Sequence, residues 1–419
     1  MSDPAAHVHA ELGGQTHLVG RLWIRSGRGR ESATFEYEDT WLERHEKFAL
    51  EPALALGPGP FHTGEGRALF AALGDSAPDR WGRNLMARAE RRQAKAEGRA
   101  PRALREIDYL LAVSDTTRQG ALRFSVDRDG PFLNNSDNAH VPPLVELPAL
   151  LAASQHVIDD AETDEDIRLL LAPGSSLGGA RPKASVRTVD GHLQIAKFPA
   201  NSDEMDLVLW EGLALSLARE AGIRVPAARI EGVADRNVLL LERFDRRGEW
   251  RIPFLSAMSM LGAVDRQTHS YLEIADALRQ HGSNTRSDIP ELWRRIVFNV
   301  LISNTDDHLR NHGFLYEGVD GWRLSPAYDL NPVPADVKPR FLSTSIGLDD
   351  DLSASMAIAL EVAQEFALSP ADARTIARDV GNVVARWREQ AARFGIAGPE
   401  IERMSSAFEH EDLDLALRG

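Results

Sequence analysis

Hydrophobic and polar residues alternate with a period of two near the start of the chain and recur at helical spacing towards its end. Residues 16–24 (Thr-His-Leu-Val-Gly-Arg-Leu-Trp-Ile) and 32–37 (Ser-Ala-Thr-Phe-Glu-Tyr) read as short strands around a Ser-Gly-Arg-Gly turn, and strand character continues to about residue 55. A Gly-Pro-Gly-Pro cluster at 57–60 breaks the pattern, and a helix is predicted from about Asp79 to Glu97. Asp, Asn, Gly and Pro crowd residues 123–143, which is turn chemistry suited to a domain boundary. A helical pattern near Leu147 leads into the loop Pro173-Gly-Ser-Ser-Leu-Gly-Gly179. Two strands follow, 184–189 and 192–198, joined by the hairpin dipeptide Asp190-Gly191. Apolar spacing predicts an amphipathic helix from Met205 to Ala221, stopped by Gly222, and then strands at 228–230 and 237–242. From about Leu255 onward nearly every periodic segment is helical, with one interruption at 311–329. The pattern is an α+β chain: a β-rich N-terminal region, a small α/β unit and a large helical unit.

Composition narrows the chemistry. The 419 residues carry a net charge of −15 and contain no cysteine, so disulfides, thiolate nucleophiles and cysteine-ligated metals are excluded. The first residues lack the basic start and apolar run of a secretory leader, and no stretch approaches a membrane span, which sets the expectation of a cytoplasmic protein without membrane contact. Nine Lys/Arg against two Glu between Arg80 and Arg105 form one basic segment in an acidic chain. A solvated helix face with long stems covering apolar surface is one reading, and a face turned towards nucleic acid is the other.

Three constellations carry chemistry. The Gly-Ser loop at 173–179 offers backbone N–H groups to phosphate oxygens, although Ala180 and the following strand exclude a Walker A site. Lys197 ends the second hairpin strand on the face of Leu193 and Ile195, where a lysine needs an anion, and Glu211 in the next helix is a candidate partner. The third constellation is Asn304-Thr-Asp-Asp-His-Leu-Arg-Asn311, followed by a predicted hairpin and Pro326-Ala-Tyr-Asp329. Asp306 and Asn311 are five residues apart, the spacing of the base aspartate and metal-binding asparagine in the kinase catalytic loop, and Asp329 lies where a second metal-binding aspartate is needed. Phosphoryl transfer requires a carboxylate for the hydroxyl proton, hard oxygens for Mg²⁺ and a lysine on the phosphates, and Asp306, Asn311, Asp329 and Lys197 fill those roles. A hydrolytic metal site built from Asp306, Asp307, His308 and Asp329 is the competing chemistry, and leaves the Gly-Ser loop and Lys197 without a use.

These motifs resemble the HipA-type serine/threonine kinases, the toxins of bacterial type II toxin–antitoxin systems. The segments Ser175-Ser-Leu-Gly-Gly-Ala-Arg-Pro-Lys-Ala184, Ile195-Ala-Lys-Phe-Pro199, Leu241-Glu-Arg-Phe-Asp-Arg246, Asn304–Asn311 and Leu324-Ser-Pro-Ala-Tyr-Asp-Leu330 occur in that family's order. The stretches 77–83 and 108–113 resemble its N-terminal domain, and the DxHxxN pattern also resembles the loop of phosphatidylinositol kinases, which keeps a lipid substrate as an alternative. The resemblance implies a two-lobed kinase-like fold: an N-terminal domain at 1–130, an α/β ATP-binding lobe at 145–244 and a helical catalytic lobe at 245–419. It further implies that Lys197 contacts the phosphates of ATP, that Glu242 and Phe244 lie beside adenine, and that Asp306 is the base. Asn311 and Asp329 would hold Mg²⁺, and His308 would be a structural hydrogen-bond partner. Ser176, beside Gly178 and Gly179, would be autophosphorylated, with Ser175 as its neighbour, and Arg181 and Lys183 are then candidates to capture the phosphate. The implied partners are a HipB-like DNA-binding antitoxin, through which alone DNA is contacted, and an aminoacyl-tRNA synthetase as substrate. The alternative class is a catalytically silent module that binds the antitoxin.

Overall fold

The computed structural model describes residues 5–27, 30–135, 141–171, 179–347, 349 and 351–418. Two compact units emerge, residues 1–202 with 232–255 and residues 203–231 with 256–419. The sequence pattern predicts three regions instead, and packing explains the difference.

In the first unit, the antiparallel sheet runs β4–β3–β2–β1–β5, built from β1 (Ala6–Leu12), β2 (Gln15–Gly27), β3 (Arg30–Tyr37), β4 (Pro60–His62) and β5 (Leu122–Ser125). Leu22 opposes Ala6 on one side and Phe35 on the other, so the apolar positions stack across strands. The second sheet has the order β6–β7–β9–β8, with β6 (Lys183–Arg187), β7 (Leu193–Lys197), β8 (Ala228–Val233) and β9 (Arg236–Glu242). Gly191 makes the β6–β7 turn at φ +88°, a conformation an L side chain resists. Ala184, Val186, Ala196, Phe198, Val238 and Leu240 enter one core with the helices Leu147–Ile158 and Asp164–Leu171. Trp81 and Leu85 enter the same core, from the Arg80–Ala96 helix. The N-terminal region therefore shares a core with residues 145–202 and 232–244 of the α/β lobe and clusters with them as one unit, whereas residues 203–231 of that lobe cluster with the second.

The Arg80–Ala96 helix begins where its sequence predicts, because the Asp79 carboxylate caps it by accepting from the Gly82 amide at 2.8 Å. Three of its six basic residues pair with carboxylates: Arg88 bonds Asp160 and Glu162, Arg92 bonds Asp164, and Arg83 bonds Glu106, while just beyond the helix Arg99 bonds Glu90. Acidic side chains of the same unit thus answer the helix's positive charge, which favours the solvated-face reading and weakens the nucleic-acid one for Arg88 and Arg92.

The second unit takes the Leu207–Glu220 helix for a similar reason. Trp210 packs against Trp387 and Phe408, whose rings stack at 4.5 Å, and Gly222 stops the helix at φ +79°. Around the long Thr285–Leu301 helix lie the Tyr271–His281 and Pro370–Val384 helices. The hairpin Gly313–Tyr316 with Trp322–Leu324 is the interruption read from the sequence. Buried Asp288 accepts from Arg323 at 2.8 Å and from the Leu324 amide at 2.9 Å, fastening the hairpin's second strand to the long helix. Among the described residues, no helix is long and apolar enough to cross a membrane.

Candidate active site

The long helix ends at Leu301, and the chain reverses through Ser303 at φ +52°. That residue is anchored by its hydroxyl, which donates to the Ala407 carbonyl at 2.8 Å and accepts from Arg340 Nε at 3.0 Å. Asn304 is buried next, its amide nitrogen donating to Asn299 Oδ1 at 3.0 Å. The following two aspartates then diverge. Asp306 has a side chain 72% exposed, whereas that of Asp307 is 2% exposed.

Asp307 accepts from the Tyr271 hydroxyl at 2.5 Å and Asn299 Nδ2 at 2.7 Å, and pairs with His312 Nε2 at 2.8 Å. Burial would raise its pKa, but the His312 imidazole and the hydroxyl of Tyr271 outweigh burial and hold the carboxyl below its ordinary value. Burial and the Asp307 charge in turn push the Tyr271 phenol well above its usual range. Buried, with three donors gathered on its Oδ2, Asp307 is a structural post, which counts against the hydrolytic metal reading that needed it as a ligand. Among the described residues no group of three or more His, Asp and Glu side chains is placed to hold a metal.

Backbone bonds hold Asp306 in place. Its carbonyl accepts from the His308 amide at 2.9 Å and from Asn311 Nδ2 at 3.1 Å, and the Asn311 amide donates to the His308 carbonyl at 2.8 Å. His308 therefore supports the loop through its backbone, and its ring Nδ1 is buried without a hydrogen-bond partner. Because the Asn311 nitrogen is engaged on Asp306, its side-chain oxygen is the atom left for a ligand. Asp329 stands at φ +60°, a conformation Asp tolerates better than most residues. Its neighbours tie it to the loop: the Tyr328 hydroxyl donates to the Arg310 carbonyl at 2.7 Å, and the Asn331 amide to Asn304 Oδ1 at 3.4 Å. An amide oxygen and a carboxylate are hard donors, so Asn311 and Asp329 fit Mg²⁺ chemically.

In the first unit, Lys197 is half-buried on the face of β7 opposite Ala196 and Phe198. The sequence places it among inward-pointing residues. In the structure the fully buried face is that of Ala196 and Phe198, and Leu193, Ile195 and Lys197 share the more open one. Glu211 is buried on the Leu207–Glu220 helix of the second unit. After β9 the chain alternates: Glu242 is exposed and Phe244 half-buried, while Arg243 and Asp245 turn inward. Arg243 donates to both oxygens of Asp245, at 2.7 and 2.6 Å, and to the Thr117 carbonyl at 2.8 Å. Asp245 also accepts from Arg246 and from the Gly120 amide, both at 2.8 Å. The Arg243 and Arg246 charges hold the Asp245 carboxyl well below its ordinary range against the opposing effect of burial.

The loop serines Ser175 and Ser176, with Gly178, lie outside the described residues; Gly179 is present at φ +94°. One expectation about that loop is corrected. Lys183 is 2% exposed and its Nζ is 2.7 Å from Asp79 Oδ2, so it is occupied by the helix cap and is not available to capture a loop phosphate. Two features are not foreseen from the sequence: the inward, structural role of Asp307, which enters there only as a candidate metal ligand, and the cation Lys338. Asp307 follows Asp306 in a loop without period, so nothing in the pattern tells which of the two faces inward. Lys338 reaches the loop from 32 residues downstream of Asp306, with no spacing rule to flag it.

Comparison with known proteins agrees with this architecture. The HipA-like C-terminal domain matches residues 175–387, and the HipA N-terminal domain matches residues 13–124. A Haemophilus influenzae protein named "Putative kinase" is 25% identical over 209 residues, covering 44% of this chain and 61% of that protein's length. "Putative kinase Y4mE" of Sinorhizobium fredii is 24% identical over 341 residues, 73% of this chain and 74% of its own. Among solved structures, a chain of the Shewanella oneidensis MR-1 toxin–antitoxin complex of HipA, HipB and operator DNA superposes with a TM-score of 0.64. It is 17% identical and covers 99% of this chain and 97% of that one, a likeness of fold.

Proposed function

Since the chain belongs to the HipA family, we propose that it is an ATP- and Mg²⁺-dependent serine/threonine protein kinase acting as the toxin of a toxin–antitoxin pair. The observation that carries this reading is the exposed Asp306 carboxylate on a loop whose every neighbour is anchored, with Asn311 bonded to its carbonyl. Such a carboxylate suits the acceptance of a proton from a hydroxyl brought by another protein. Asp306 takes that proton as the acceptor oxygen bonds to the γ-phosphorus; the bond from phosphorus to the bridging oxygen breaks and ADP leaves. Asn311 and Asp329 are the residues that would hold Mg²⁺, which when bound supplies positive charge against the phosphates. Lys197 is assigned to the phosphates, and Glu242 and Phe244, on the outward positions of their segment, to adenine. Autophosphorylation is assigned to Ser176 or its neighbour Ser175. An aminoacyl-tRNA synthetase is the proposed protein substrate, and a HipB-like antitoxin the proposed partner, in keeping with the complex formed by the Shewanella protein.

Steady-state transfer from Mg-ATP to the substrate protein tests this reading. Asp306→Asn is expected to lower kcat by about 10²–10⁴-fold with ATP affinity retained. Unchanged turnover in Asp306→Asn would overturn the assignment.

A further inference from the structure

Beside Asp306 lies a cation that neither the family motifs nor the proposed roles include. We propose that Lys338 is a further catalytic residue, whose ammonium contacts the phosphoryl group as it moves to the acceptor hydroxyl. The proposal rests on the kinase reading above and adds a group to the same site.

Its placement is built. Lys338 Nζ donates to the Thr305 carbonyl at 3.0 Å and lies 4.0 Å from Asp306 Oδ1. The segment that carries it is bonded to the catalytic loop on both sides. Before it, the Val333 amide donates to the Ser303 carbonyl at 3.2 Å. After it, Arg340 reaches Ser303 Oγ and the Val300 carbonyl, each at 3.0 Å, and the Ser343 hydroxyl reaches the Thr305 carbonyl at 3.0 Å. Between these ties the Val337 and Lys338 amides both donate to the Pro334 carbonyl, forming the turn that presents the side chain.

Stability does not account for this arrangement. Lys338 is 43% exposed and Asp306 72% exposed, and an ion pair so open to water contributes about 0–1 kcal/mol. An ammonium has three donors; Thr305 takes one, and the other two remain for oxygens near Asp306. In phosphoryl transfer, negative charge is spread over the three equatorial oxygens while the acceptor proton passes to the carboxylate. A cation fixed beside that carboxylate stabilises the charge where it gathers, without reorganising. Lys338 stays protonated throughout and forms no covalent bond: the proton goes to Asp306, the acceptor oxygen takes the phosphorus, and ADP carries off the bridging oxygen.

The test compares the full-length wild type with Lys338→Met and Lys338→Arg. Calorimetry measures affinity for Mg-ADP alone and for Mg-ADP with aluminium fluoride, which mimics the phosphoryl group in flight. All three proteins should bind Mg-ADP within about twofold of one another, since Lys338 is assigned to the moving group and not to ADP. Aluminium fluoride should tighten binding in the wild type, and Lys338→Met should lose about 10²-fold of that gain, with a matching fall in kcat and little change in the KM for ATP. Lys338→Arg should recover most of it. A gain in Lys338→Met equal to that of the wild type, or no gain in the wild type, overturns the proposal while leaving the kinase reading standing wherever turnover is seen. A wild type that binds no nucleotide overturns both.

Discussion

The chain leaving β9 in the first unit and the loop following the long helix in the second solve the same problem with different chemistry. Each leaves a residue open at the surface and turns its neighbour inward as a brace: Glu242 is exposed and Phe244 half-buried while Arg243 and Asp245 turn in, and Asp306 stands out while Asp307 turns in. In the first, two guanidinium groups and a backbone amide close on the Asp245 carboxylate. In the second, the brace carboxylate is met by a phenol, an amide and an imidazole. A third buried carboxylate, Glu51, has the Ala72 amide at 2.6 Å as its close donor, and burial pushes its pKa up to about 7. The three show how partners, and not burial alone, decide the charge state: Asp245 and Asp307 are held down while Glu51 rises.

Breaking the charged brace should have the largest effect. Asp245→Ala leaves Arg243 and Arg246 buried without a counter-charge and should cost about 3–5 kcal/mol, read as a lowered midpoint in urea unfolding. Asp307→Ala strands three polar partners and should cost about 3 kcal/mol, with a fall in turnover that Asp307→Asn partly avoids. A loss of stability without any loss of turnover in Asp307→Ala would separate the brace from the site.

Glu51 sharpens the contrast through pH. Its folded pKa lies above the unfolded value of 4.5, so the folded state holds the proton more firmly, and stability falls as pH rises from about 4.5 to about 7. The loss is about 3 kcal/mol across that window, and Glu51→Gln should remove this component of the pH dependence. Arg92→Ala, which removes a half-exposed pair with Asp164, should change stability by less than about 1 kcal/mol.

Much of this can be read from the residues. The Arg80–Ala96 helix is predictable to within a residue because Asp79 is a capping residue ahead of a periodic run, and the Leu207–Glu220 helix because Gly222 stops it. The strand β1 is not anticipated although its signal is present: two histidines and a glutamate alternate with apolar residues in Ala6–Leu12, a period of two, and the polar positions His9 and Glu11 prove buried as well. The spacing of Asp306, Asn311 and Asp329 is legible because local chain geometry sets it. The inward turn of Asp307, the capture of Lys183 by Asp79 and the approach of Lys338 are not, since each depends on partners 36, 104 and 32 residues away.

The central claim, that Asp306 is the base of a phosphoryl transfer, is tested most directly by intact mass and peptide mapping after incubation with Mg-ATP. Wild type should gain a phosphate on the 175–176 loop, and Asp306→Asn should gain none while still binding ATP. Phosphate on both proteins, or on neither with ATP bound, would contradict it.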